Sequence, residues 1–100
     1  MRKLLLGALV VIAFSTSAYA ELRTFRQPRM NGMRLDWCLT WATDCGKPAA
    51  DAFCEARGFE GAMSFTNEPN VGSYEPTRLI TGQVCRESFC NGFGQITCAR

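Results

Sequence analysis

The sequence predicts an α+β domain in which one helix packs on a small, mostly antiparallel sheet under disulfide restraint. Three observations carry that prediction. Six cysteines, Cys38, Cys45, Cys54, Cys85, Cys90 and Cys98, crowd the C-terminal part of the chain. A single stretch, 48–57, has helical patterning with both ends signalled, and the remainder breaks into short β-like runs between Gly, Pro and Asn.

The chain opens on Met1-Arg2-Lys3, continues with an apolar run over 4–14 and reaches the small-residue triplet Ala18-Tyr19-Ala20. This predicts a secretory signal peptide over 1–20, cut after Ala20 and too short to span a membrane. A secreted or periplasmic location follows, with no stable membrane insertion after cleavage. About eighty residues remain, enough for one small core, and such domains add crosslinks worth about 2–4 kcal/mol each. Six is an even number of cysteines and predicts three disulfides. Zinc fits badly, because the chain has no histidine and no pair of cysteines at two-residue spacing. Neither a metal nor a cofactor is expected.

Two of the eleven basic residues, Arg2 and Lys3, belong to the signal, whereas all nine acids follow it, so the mature charge is near zero. Nucleic acid is therefore not an expected partner. Arg23, Arg26, Arg29 and Arg34 still crowd the first mature residues. The segment 21–34 shows no sustained period and reads as a basic extended arm, facing solvent or accepted by the acids that follow, with contact to an anionic surface as the alternative. The disulfide-stabilised domain is placed at 35–100.

Within that domain Leu35, Trp37, Leu39 and Trp41 recur every second residue and predict a strand. The segment 42–46 reads as a turn. Pro48 suits the start of a helix over 48–57, with Ala49, Ala52, Phe53 and Ala56 inward, Asp51 and Glu55 outward, and Gly58 as the stop. Cys54 then sits about two turns beyond Cys45, farther than a disulfide reaches, so that pair is disfavoured. Short strands are expected over 61–65, 77–81, 82–85 and 94–99, separated by irregular loops at 66–76 and 86–93. Cys85 and Cys90 should staple the second loop. Other pairings stay open.

Catalysis is not expected, since no histidine can serve as base and the thiols are consumed in bridges. Asp51 and Glu55, one turn apart, read as solvated surface. The helix start at Asp44-Cys45-Gly46-Lys47 offers free N–H groups to an anion, but solvation accounts for it. Five aromatics remain of interest: Trp37 and Trp41 read as core, whereas Tyr74, Phe89 and Phe93 fall in loops and are candidates for exposure. On the 66–76 loop Asn67, Glu68 and Asn70 supply hard oxygen ligands of the kind calcium accepts.

Glu68-Pro69-Asn70 resembles the tripeptide by which C-type lectins hold calcium and mannose, and 52–58 with Ile96-Thr97-Cys98 is similar to the ends of that family. In place of that family's Trp-Asn-Asp stretch this chain has Asn91-Gly92-Phe93-Gly94. More broadly, Leu35-Asp36-Trp37-Cys38, the 45–54 segment, Gly82-Gln83-Val84-Cys85 and Ile96-Thr97-Cys98 resemble a small six-cysteine domain of exported proteins, a likeness that implies no particular activity. The expected role is a monomeric binding module that recognises a carbohydrate through Asn67, Glu68, Asn70, Tyr74, Phe89 and Phe93. The alternatives are a protein-directed inhibitor or effector that presents the stapled 86–93 loop, and a structural exported protein with no discrete ligand.

Overall fold

The computed structural model describes residues 21–100; the signal peptide expected over 1–20 lies outside the described residues. In chain order the elements are β1 (Leu22–Arg26), β2 (Arg29–Met30), β3 (Met33–Leu35), β4 (Cys38–Thr40), β5 (Thr43–Cys45), α1 (Lys47–Ala56), β6 (Gly61–Glu68), a 3-10 turn (Val71–Ser73), β7 (Thr77–Arg78), β8 (Val84–Cys85) and β9 (Gly92–Ala99). One helix on mostly antiparallel sheets, with three disulfides, is the α+β class the sequence predicts.

The main sheet has the order β1-β9-β6, antiparallel throughout, with Phe25 opposite Ile96 and Ile96 opposite Phe65. Helix α1 covers one face of it. Leu35, Ala49, Ala50, Phe53, Cys54, Phe59, Phe93, Ile96 and Cys98 form the core between them. The helix starts as its sequence dictates: Gly46, at φ 77, turns the chain into it and Pro48 occupies the first turn. A side chain at Gly46 would also meet Trp37 Cζ2 at 3.3 Å. The buried stripe is Ala49, Ala50, Phe53 and Cys54, rotated from the expected one, so that Ala56 is exposed. Two bonds impose the rotation: Cys54 is joined to Cys98 on β9, and Asp51 Oδ1 accepts the Ala62 N–H at 2.8 Å, tying the helix to the start of β6.

The segment 21–34, expected to be an arm outside the domain, is extended but integral to it. β1 pairs with β9 over its whole length, β2 pairs with β3, and Arg34 is buried. The reason is that β1 completes the sheet edge and sends Phe25 onto Phe53, ring centroids 5.1 Å apart. The strand expected from Leu35 to Trp41 is broken in two. Asp36 bridges to Gly92, its Oδ1 accepts from Thr77 Oγ1 at 2.5 Å and its Oδ2 from the Cys38 N–H at 2.9 Å, which redirects the chain before β4. Residues 43–45, expected in a turn, form β5 instead; the reversal is confined to Trp41 and Ala42, the latter at φ 59.

Both expected loops are shorter than the sequence implies. Thr66, Asn67 and Glu68 belong to β6, and Gly92 and Phe93 to β9. Asn91-Gly92 is not a turn, and the glycine serves close packing: a Cβ on Gly92 would sit 3.0 Å from the Leu35 carbonyl oxygen. A second small sheet, β2-β3-β7-β8, contains the parallel pair β3–β7.

The bridges are Cys38–Cys45, Cys54–Cys98 and Cys85–Cys90. The staple expected at Cys85 and Cys90 is present, and Cys45 does not pair with Cys54. The oxidised protein is expected to weigh six hydrogens less than after reduction, read as intact mass, with no free thiol among the described cysteines. Free thiols or stoichiometric zinc would contradict this.

Candidate functional site

Each of the two short-range bridges closes the base of a projecting loop. Cys38–Cys45 joins directly opposed residues of the β4–β5 hairpin, whose tip is Trp41-Ala42, and Cys85–Cys90 closes a loop that carries Phe89. Trp41 is 55% exposed and Phe89 68%. Between these two lips lies a cleft of about 250 Å³, with Leu79, Trp37 and the Cys85–Cys90 bridge among its lining residues. The lining is almost wholly apolar. Its polar members are Asp36, with both carboxylate oxygens bonded internally, and Asn91, whose Oδ1 accepts from the Asn70 N–H at 2.9 Å.

Contacts behind the lips fix them in place. The Gly72 N–H donates to Cys90 O at 3.0 Å, and a Cβ at Gly72 would lie only 1.9 Å from Glu87 O. The 3-10 turn therefore packs directly on the Phe89 loop, an approach that only glycine permits. On the other side the Trp37 N–H donates to Asn91 O at 2.9 Å, while the Trp37 ring packs on Phe65 and Phe93.

The residues expected to bind a ligand are not assembled into one site. Glu68 and Tyr74 do meet, but as parts of an internal network around Arg34, which is 1% exposed. Arg34 Nη2 donates to Glu68 Oε1 at 2.5 Å and to Phe93 O at 2.9 Å, Nη1 donates to the Tyr74 hydroxyl at 3.3 Å, and that hydroxyl donates to Glu68 Oε2 at 2.5 Å. Arg29 joins through a two-pronged contact with Glu75. The Tyr74 hydroxyl, and then Arg34, hold the Glu68 carboxyl below its ordinary pKa. Burial opposes the charge on Arg34, but Glu68 and Tyr74 outweigh it and raise its pKa above the usual value.

Asn67 is exposed on β6, and Asn70 is in the left-handed region at φ 57 with its N–H turned to Asn91. Among the described residues no three acidic, cysteine or histidine side chains are grouped to hold a metal ion. Phe93, expected in an exposed loop, is completely buried, because β9 starts before it and turns its ring into the Trp37–Phe65 cluster. Phe89 is exposed as expected. Sequence reasoning missed Trp41, which the two-residue period assigned to a core strand. The available signal was the Thr40-Trp41-Ala42-Thr43 tip within the Cys38 to Cys45 loop, a tryptophan at the apex of a closed hairpin.

Fold and cleft together define a disulfide-stapled α+β domain with an apolar cleft on its surface. No family model, curated protein or solved structure matches the chain. No helix among the described residues is long and apolar enough to cross a membrane.

Proposed function

We propose that the protein is an exported, protein-directed binding module that receives one large apolar side chain of its partner between Trp41 and Phe89. The observation that carries this is the pairing of two exposed aromatics across an apolar floor, each on a loop closed by its own disulfide. Exposed tryptophan and phenylalanine over an apolar floor suit the centre of a protein interface. The covalent closure of both loops lowers the ordering cost of association. Size favours a single side chain: about 250 Å³ falls short of the roughly 300–1,000 Å³ of small-molecule sites.

A carbohydrate fits the chemistry less well. Its hydroxyls need bonding partners, yet the cleft offers little beyond the Asn91 amide, since both Asp36 oxygens are occupied.

Peptides selected from a random display library on the immobilised, oxidised protein are expected to share one large apolar residue. Trp41→Ala and Phe89→Ala should each weaken their binding by about 2 kcal/mol, roughly thirtyfold, with the melting temperature nearly unchanged because both side chains are exposed. Saturable binding of a glycan array that is lost in the same variants would restore the carbohydrate reading. Peptide binding indifferent to both variants would remove the cleft from the account.

A further inference from the structure

Away from the cleft, arginines and aromatic rings alternate across the β1 and α1 surface. Arg57 lies over Phe53 and Phe25 at 4.3 and 5.6 Å, Arg23 over Phe25 and Phe59 at 5.9 and 5.6 Å, and Arg100 over Phe59 at 4.5 Å. One end of this ladder is neutralised: the Glu21 carboxylate accepts from Arg100 at 2.7 Å and lies 3.5 Å from Arg23. The other end is not. Among the described residues no carboxylate lies within ion-pair distance of Arg57 or Arg26.

These two arginines border a groove whose other members include Gln27, Arg29, Phe25 and Phe53, with no acidic residue on its wall. Arg29 is occupied by Glu75. Arg57 is different: stacked on Phe53 and donating through Nη2 to Arg29 O at 2.8 Å, it is held in one orientation while its remaining N–H groups have no partner among the described residues. A guanidinium fixed by its face, with its edge free, is arranged for two-pronged bonding to an oxyanion. Gln27, a non-glycine at φ 45, adds an amide at the turn. Over 21–100 there are nine bases and nine acids, so this local surplus reflects placement and not a basic composition.

We propose that Arg26 and Arg57 bind an oxyanion, a phosphate or sulfate group, in the groove above Phe25 and Phe53. The site is independent of the aromatic cleft. The arginine side-chain Nε–H resonances of the ¹⁵N-labelled, oxidised protein report on it directly. On titration with inorganic phosphate at constant ionic strength, Arg57 and Arg26 should shift saturably, and Arg78 and Arg86, equally without ion-pair partners among the described residues, should not. Phosphatidylglycerol vesicles form the second arm. Saturation with free phosphate assigns a small anion, whereas saturation with vesicles alone assigns a lipid headgroup.

Arg57→Lys keeps the charge and the contact with Phe53 but loses the planar fork, and should weaken binding about tenfold. Arg26→Gln, at an exposed position, should also weaken binding without shifting the melting temperature. Arg86→Lys and Trp41→Ala should leave it unchanged. Equal responses at all four arginines, no saturation in either arm, or undiminished affinity in Arg57→Lys would each overturn the assignment.

Discussion

Replacing Cys54 and Cys98 together by alanine is expected to lower the melting temperature by at least about 15 °C, more than the loss of either other bridge. The bridges differ in the chain they enclose: sequence separations are 44 for Cys54–Cys98, 7 for Cys38–Cys45 and 5 for Cys85–Cys90. On the chain-entropy model these correspond to about 4, 2.5 and 2 kcal/mol, at about 4–8 °C per kcal/mol for a domain of this size. Burial acts in the same direction. Cys54 and Cys98 are completely buried between α1 and β9, so their sulfurs also fill core volume, whereas Cys45 is exposed. A domain of about eighty residues has roughly 4–12 kcal/mol of stability in total, so the variant should lie near the edge of folding at 37 °C. Calorimetry of the three paired variants, Cys54/Cys98, Cys38/Cys45 and Cys85/Cys90 to alanine, checks the order. The double substitution avoids a stray thiol. A smaller shift for Cys54/Cys98 than for either loop bridge would mean that the helix stays docked without its crosslink.

The same separation of roles predicts that the loop bridges matter more for recognition than for folding. Each closes one lip of the cleft, and neither joins α1 to the main sheet. Their loss should loosen Trp41 or Phe89 while the α1–β9 core persists.

How much of this the sequence disclosed depended on whether a residue's role was local. The helix was legible because Pro48 and Gly58 act within a turn of their own positions, and the Cys85–Cys90 staple because it closes over few residues. β1 was not legible: of Leu22-Arg23-Thr24-Phe25-Arg26 only Phe25 packs inward, and a strand at a sheet edge is held by backbone bonds to β9 that no side-chain period records. Trp41 obeyed the strand period and still lies outside, since the interruption comes from Asp36 reaching Thr77, 41 positions away. Glu68 looked like a free ligand because its partner Arg34 lay in a run of arginines that read as solvated. The same long-range pairing explains why the expectation that downstream acids would accept those arginines fits Arg29 and Arg34 but not Arg26.

Arg34→Ala should destabilise the protein by about 3–5 kcal/mol, the cost of removing one member of a buried charged network. Arg34 is 1% exposed and joins β3 to Glu68 at the end of β6, to Tyr74 beyond it and to the backbone of β9, so its loss unties three segments at once. Truncation also leaves a cavity and removes the Arg34 donor from the Phe93 carbonyl oxygen. Arg34→Met combined with Glu68→Gln fills most of that volume without a charge and should cost distinctly less, which separates the effect of the ion pair from that of packing. The network also sets an acid limit. Because the folded-state pKa of Glu68 lies below its ordinary value of 4.5, its contribution is fully present above that value and is lost as pH falls through the folded pKa. The urea midpoint of the unmodified protein should therefore decline below about pH 4.5, and more steeply than that of Glu68→Gln. Parallel pH profiles would show that Glu68 is not held by Tyr74 and Arg34 in solution. Equal costs for Arg34→Ala and the Met/Gln pair would mean that restored volume recovers nothing and that the lost charged hydrogen bonds of Arg34 carry the whole effect.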